Sequence, residues 1–271
     1  MYAAHILADS LAPNGVRLTT MLVTMPRFIL AEFNTHRAFS RSSASSRAIP
    51  VERRIAAVRA DPFVPDAFGA NRPGMQAGDD LDEVRQMHAR ERWLAACGYA
   101  CDYAEALAAL GVHKQHANRL IEPFAWHTVV VTATEWANFF ALRCHPDAQP
   151  EIQRTAALMR DALHWSQPRA VGLREWHLPF VTPEERATPG TNWRKVSVGR
   201  CARVSYETHD GRRDPAADVA LCDRLRESGH MSPFEHIATP HRHPSRIGNL
   251  KGWVQMRKTL PGEAVFSGGA A

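Results

Sequence analysis

The sequence predicts an α/β (α+β) protein of one domain, a twisted sheet flanked by helices, and three observations carry that prediction. Residues 3–7 and 16–23 are strand-like runs joined through Pro13-Asn14-Gly15, and Asn-Gly between such runs is a strong hairpin signal. Residues 126–134 form a further strand, dense in β-branched side chains at Val129, Val130, Val131 and Thr132, which suit a buried pleated surface. Apolar side chains then recur at helical spacing between Asp80 and Gly111 and again from Pro150 to Leu163.

Each element has a local reason. Pro26 is a good first helical residue for a short helix carrying Phe28, Ile29, Leu30 and Phe33. Residues 51–59 continue as helix, whereas residues 61–78, with Pro62, Pro65, Pro73 and several glycines, read as a long loop of the kind that forms lids. Asp80 with Glu83 three residues on predicts a capped helix whose stripe of Val84, Met87, Leu94, Cys97, Cys101, Ala104 and Leu107 faces the core. The strand at 126–134 runs into a helical stretch with Asn138, Phe139, Phe140, Leu142 and Arg143, and Pro150 opens the next helix, with Ile152, Ala156, Met159 and Leu163 inward. Residues 168–189 hold four prolines and read as an irregular connector, after which Asp214-Pro215 starts a helix with Val219, Cys222 and Leu225 on one face, ending at Gly229.

Composition bounds the function. The chain has 271 residues, 45% hydrophobic and 23% charged, enough for one substantial core or two small ones. A net charge of +5 favours anionic partners, nucleotides and nucleic acids among them. Five cysteines without a CxxC pair argue for a reducing compartment and against a disulfide framework or zinc ribbon. The first residues lack a secretory pattern and no apolar run reaches the roughly 18 residues of a spanning helix, so a cytoplasmic protein without membrane contact is expected.

Residues 36–47 pack three arginines and five serines into twelve positions. Such a run is rich in donors and poor in carboxylates, so it reads either as a solvated loop or as an anion cradle in which arginine forks and serine hydroxyls surround phosphate. His36-Arg37, then Ser40, then Ser45-x-Arg47 resembles the signature of the flavin-dependent thymidylate synthases. Thr35 stands where that family usually has an arginine, and Ser42 and Ser43 where it has asparagine and glutamate. Asn138-Phe139-Phe140-Ala141-Leu142-Arg143 followed by Ala148-Gln149-Pro150-Glu151-Ile152 is similar to a second family motif, while Thr132-Ala133-Thr134 stands near the place of its Asn-Ala-Arg triplet. A third likeness, in Cys201-Ala202-Arg203-Val204-Ser205-Tyr206 and Gly229-His230-Met231-Ser232-Pro233-Phe234-Glu235-His236, matches the family's N-terminal part but follows the C-terminal part here.

The resemblance therefore implies a circular permutation, with a signature and core part at 1–165, a connector at 166–195, a part that is N-terminal in the family at 196–262, and a tail at 263–271. It implies FAD, NADPH as reductant, methylene-tetrahydrofolate as carbon donor, dUMP as substrate, and a homotetramer with shared sites. Residue by residue it implies Arg143 and Ser45 as catalytic, Ser45, Arg47, Arg119 and Arg143 on the pyrimidine nucleotide monophosphate, and His36, Arg37, Asn138, His230, Ser232 and Glu235 at the cofactors. The role for Arg143 has a physical ground, because charge developing on a uracil carbonyl needs a preorganised cation.

Four other readings compete. A cysteine-using thymidylate synthase needs an activated thiolate, and no cysteine here sits in an arginine-rich context. Zinc at His230 and His236 is disfavoured because a spacing of six does not align two imidazoles on a helix and no third ligand is evident, so no metal is expected. A single-stranded nucleic-acid module would need aromatics interleaved with the basic groups of residues 36–47 as stacking platforms. A nearer rival keeps flavin and folate and yields a 5-hydroxymethylpyrimidine nucleotide or a methylated ribonucleotide.

Overall fold

The computed structural model describes residues 1–205 and 214–262. Strands β1 (Ala3–Leu11) and β2 (Arg17–Pro26) form the expected hairpin, longer than the sequence runs that predict it. At its turn Gly15 takes φ +81°, and the Asn14 side chain accepts from the Val16 amide while donating to the Gly252 carbonyl. Pro26 ends β2 rather than opening a helix. A 3-10 turn and α1 (Leu30–Asn34) follow, and the chain then returns to the sheet as β3 (Ser40–Ser43).

β3 corrects the reading of residues 36–47 as a loop with nothing to bury. Ser40, Ser42 and Ser46 are all buried, because partners distant in sequence satisfy their hydroxyls. The Gln255 amide donates to Ser40 Oγ at 2.8 Å, and Ser42 pairs with the His236 ring.

Next come α2 (Val51–Ala60), α3 (Glu83–Ala109) and α4 (Lys114–Ala117), which pack together around Ile55, Cys97, Cys101, Ile121 and Phe124. The cap of α3 is Asp82, not Asp80: its carboxylate accepts from the Arg85 amide, while Asp80 bridges to Gly69. The α3 stripe also differs from expectation. Cys97, Cys101 and Ala104 point inward, but Val84, Met87 and Leu94 are exposed. The inward face of this helix is lined by small residues because α2 and α4 lie close to it.

β4 (Trp126–Ala133) pairs antiparallel with β2 and β3, giving the sheet order β3-β4-β2-β1-β5, with β5 (Arg169–Ala170) parallel to β1. Side chains alternate across a strand, so the sheet has two distinct faces. Met21, Val23, Met25, Val129 and Val131 pack beneath α5 (Ala137–Arg143) and α6 (Pro150–Trp165), with Phe139, Ile152, Ala156 and Met159.

The other face is polar and is covered by the last third of the chain, comprising α7 (Pro183–Ala187), α8 (Trp193–Val204), α9 (Pro215–Glu227), and short strands β6 (Ala238–Pro240), β7 (Arg246–Ile247), β8 (Leu250–Lys251) and β9 (Trp253–Gln255). A buried chain of hydrogen bonds crosses it. Ser10 Oγ meets His177 Nδ1 (2.8 Å), His177 Nε2 meets Thr20 (2.8 Å), Thr20 meets Thr132 (2.6 Å), Thr132 meets His236 Nδ1 (2.8 Å), and His236 Nε2 meets Ser42 (2.9 Å). Burial presses both imidazoles down to about 3, so they stay neutral, each with one donor and one acceptor for the two hydroxyls beside it.

α8 is a helix the sequence reading left inside and beyond the connector, and it is buried along most of its length. Gly199 is required at its centre, since a Cβ there would lie 2.4 Å from the Asp218 carbonyl oxygen on α9. Asp218, buried, receives Arg200 at 3.0 Å and Arg203 at 2.7 Å. Of the C-terminal motifs, Tyr206 lies outside the described residues, as does the tail at 263–271. Among the described residues no helix is long and apolar enough to cross a membrane.

Candidate active site

The first cluster joins the end of α5 to the segment between α1 and β3. Phe139 and Arg143 are one helical turn apart on one face of α5. The Phe139 ring meets the edge of the His36 imidazole at 4.8 Å between centroids, and Phe39 lies 5.9 Å from it. Arg143 Nε donates to His36 Nε2 at 2.9 Å and its Nη2 donates to Thr35 Oγ1 at 3.1 Å.

An arginine cannot accept, so His36 Nε2 carries the lone pair and Nδ1 the proton. Burial, then the nearby Arg143 and Arg41 charges, lower the His36 pKa and keep the ring neutral. Thr35 passes the bond on to the Glu32 carbonyl at 2.6 Å. Arg143 is thus held by two of its three nitrogens, and Nη1 has no intramolecular partner among the described residues.

The second cluster fixes the loop after β3 from beneath. Ser46 Oγ donates to a Glu122 carboxylate oxygen, and Asn118 Nδ2 donates to the Ser46 and Ile49 carbonyls at 2.8 and 2.9 Å. Lys114 reaches the Ala48 carbonyl and Arg27 the Ala44 carbonyl, each at 3.3 Å. Glu122 also receives Arg27 at 3.3 Å and Arg119 at 3.0 Å. Behind Arg27, His127 is kept neutral by burial and the Arg27 charge. The result is a rigid backbone from which Ser45 and Arg47 project into solvent.

Four guanidinium groups, Arg37 before β3, Arg41 within it, Arg47 after it and Arg143 against His36, have no ion pair to any carboxylate among the described residues. Arg41 donates only to the Phe33 carbonyl, and its pKa is lowered by burial and by Arg37, with Glu235 acting the other way. Glu235 itself accepts from Arg257 at 2.6 Å in the 3-10 turn that packs against β3. A concentration of unneutralised arginines is costly unless an anion binds it.

Of the residues singled out from sequence, the fold brings together Arg143 with His36, Arg41 with Glu235, and Arg119 with the carboxylate that anchors the Ser45–Arg47 loop. Asn138, His230 and Ser232 are exposed, and no hydrogen bond joins them to these clusters. Asn138 lies five residues from Arg143 and so points to a different side of α5. Sequence reasoning missed Glu122, Asn118 and Arg27. The first two lie within three residues of Arg119, and the i,i+3 spacing of Arg119 and Glu122 was the available signal.

Every thiol is raised by burial: Cys97 and Cys222 to about 11, with Cys101, Cys144 and Cys201 shifted the same way. None is an activated nucleophile. Among the described residues no group of three His, Cys, Asp or Glu could hold a metal.

Residues 16–169 match the family model of thymidylate synthase complementing proteins. The match spans β2, β3, the Ser45–Arg47 loop, β4 and α5, and it ends before the C-terminal motifs. No curated protein matches. Among solved structures, the UMP/dUMP methylase PolB from Streptomyces cacaoi bound with 5-Br UMP is similar in fold at a TM-score of 0.50 and 16% identity, over 60% of this chain and 88% of that one. The same enzyme with 5-Br dUMP gives a TM-score of 0.48 at 16% identity, over 60% and 90%.

Proposed function

This chain belongs to the thymidylate synthase complementing protein family, and we propose that it methylates a pyrimidine nucleotide at C5, converting dUMP to dTMP. The observation that carries the reading is Arg143, held by His36 and Thr35 with one nitrogen free, among arginines that have no carboxylate. In this reading Ser45 and Arg47 hold the nucleotide phosphate, since both project from a loop whose backbone is already fixed. Binding then costs little ordering of the protein. Arg143 Nη1 faces a ring carbonyl and stabilises the negative charge that develops there as C5 becomes nucleophilic. His36 is a positioning residue for Arg143. Arg119, already paired with Glu122, stands at the margin of the nucleotide site.

No thiol is available to activate the ring; in this reading a bound FAD, reduced by NADPH, would supply the reducing electrons and methylene-tetrahydrofolate the carbon. The chain's donor set fits such anionic partners. Arg37, Asn138, His230 and Ser232 are exposed polar groups without ties to the interior, and the Glu235 charge is felt by Arg41 on β3. Their spread over the surface also fits a site shared between copies in a homotetramer, as the family resemblance implies.

The packing of residues 196–205 and 214–262 against the polar face of the sheet supports reading that block as the family's N-terminal part in permuted position. Ser42 and Ser43, which stand where the family usually has asparagine and glutamate, permit a second reading in which UMP is also accepted.

The test is to incubate the protein with dUMP or UMP, FAD, NADPH and methylene-tetrahydrofolate and identify the nucleotide product by mass spectrometry. A product heavier by a methylene group supports the proposal. A hydroxymethylated product, or none with either nucleotide, overturns it.

A further inference from the structure

At the edge of the sheet opposite β3 lies a cleft of about 640 Å³, between β1, β5 and the segment that carries α7. Four strand spacings separate β5 from β3, roughly 19 Å at about 4.8 Å each. The cleft is therefore distinct from the Arg143 site. Most of its wall comes from residues beyond 169, outside the family match.

Its lining combines two indoles with two guanidinium groups. Trp176 and Trp193 stand with Leu178 and Pro183, and Arg169 and Arg186 supply the charge. A third cation, Arg194, lies 5.3 Å over the Trp176 ring. Arg186 is half-buried and donates to the carbonyls of Trp176, Leu178 and Val181 at 3.2, 3.0 and 3.5 Å. Three carbonyls orient its fork without neutralising it, and no carboxylate pairs with it among the described residues. Burial, then the charge of Arg169, lowers its pKa to about 10, which is the mark of a cation held short of counter-charge.

The two carboxylates present do not make up the deficit. Asp9 is consumed by Arg17, Thr19 and Ser166. Glu175 pairs with Arg169 at 3.4 Å and accepts from the Gly172 amide. One positive charge is left over inside a concave, partly aromatic wall of the size that takes small ligands.

We propose that this cleft is a second ligand site, for a nucleoside phosphate whose planar base lies against the tryptophans and whose phosphate meets Arg186. The shared chemistry admits a mononucleotide or a dinucleotide, and the probes separate the two.

The experiment is a calorimetric titration of the full chain with AMP, dTMP, NADP⁺, adenosine and inorganic phosphate, on the wild type, an Arg47→Ala/Arg143→Ala variant, Arg186→Gln and Ala187→Trp. AMP or NADP⁺ is expected to bind the Arg47/Arg143 variant as well as the wild type, whereas dTMP, which the Arg143 site also takes, should lose only its binding at that site. Arg186→Gln should weaken that binding by about tenfold or more. Adenosine and inorganic phosphate should each bind weaker by a similar factor, because each lacks half of the recognised chemistry.

Arg186 holds three carbonyls, so Arg186→Gln can unsettle the fold, and Ala187→Trp serves as the second variant. Ala187 lies in the wall and is exposed, so the larger side chain fills the cleft without removing a contact. Loss of binding in that variant with an unchanged melting temperature supports the site. The proposal is overturned by binding that vanishes in the Arg47/Arg143 variant, by binding unaffected in Ala187→Trp, or by no nucleotide binding at millimolar concentration.

Discussion

Lowering the pH from 7 to 5 should destabilise this protein sharply, and His236 supplies a calculable share. Its ring is 0% exposed and its pKa is held at about 3 by burial, against an ordinary value of about 6.5. A histidine with a depressed folded pKa is neutral when folded and charged when unfolded at low pH. The unfolded state therefore binds more protons, and the stabilisation is fully present above 6.5 and lost as pH falls from 6.5 toward 3. At pH 5 the lost share is about 2 kcal/mol, rising to roughly 4 kcal/mol by pH 3.

His177 is also fully buried with a pKa of about 3, so the pair should remove about 4 kcal/mol at pH 5, a large part of a typical stability of about 5–15 kcal/mol. The assay is urea unfolding at pH 7, 6 and 5 on the wild type and His236→Gln, which keeps a donor and an acceptor but does not titrate. The variant should start less stable by about 1–3 kcal/mol, since Thr132 and Ser42 are paired less well, yet lose about 2 kcal/mol less on acidification. Parallel pH dependence in the two proteins would refute the buried, neutral hydrogen-bond chain.

Further outcomes follow from the same geometry. Arg143→Lys should fold normally and lose most turnover, because lysine lacks the planar fork that holds His36 and Thr35 and aims a third nitrogen in a fixed direction; near wild-type turnover with an unchanged circular dichroism spectrum would remove Arg143 from the site. Arg47→Ala should weaken dUMP binding by about 1.5–3 kcal/mol by calorimetry, and unchanged affinity would show that the loop does not hold the phosphate. Gly199→Ala should cost about 1–3 kcal/mol or more in chemical denaturation, because its Cβ would meet Asp218 backbone atoms at 2.4 to 2.9 Å; a neutral effect would mean that α8 and α9 can move apart freely.

What could be read in advance depended on whether a segment's partners were close in sequence. The β1–β2 hairpin announces itself through Asn14-Gly15, and β4 through its run of valines. β3 does not, because a Ser/Arg strand is stable only when His236 and Gln255, some two hundred residues away, take up its hydroxyls. α8 is hidden for a related reason. It is buried on nearly all sides, so no polar face gives it a period, and Ser197, Gly199 and Arg200 are inside where apolar residues would be looked for.

On α3 the error has the opposite sign, since Val84, Met87 and Leu94 face out while Cys97, Cys101 and Ala104, with Trp93 and Leu107, pack inward. At the site, Arg143 and the Ser/Arg run were legible from residue type and spacing. Their supports, Glu122, Asn118 and Arg27, were not, because their roles rest on backbone carbonyls and ion pairs that only the fold assembles.

The most direct test of C5 methylation is release of tritium from [5-³H]dUMP, since substitution at C5 must expel that hydrogen whatever the order of the steps. With FAD, NADPH and methylene-tetrahydrofolate, the account predicts tritium release into water by the wild type and its near loss in Arg143→Lys. No release from dUMP or UMP by folded wild-type protein, or equal release by Arg143→Lys, would contradict it.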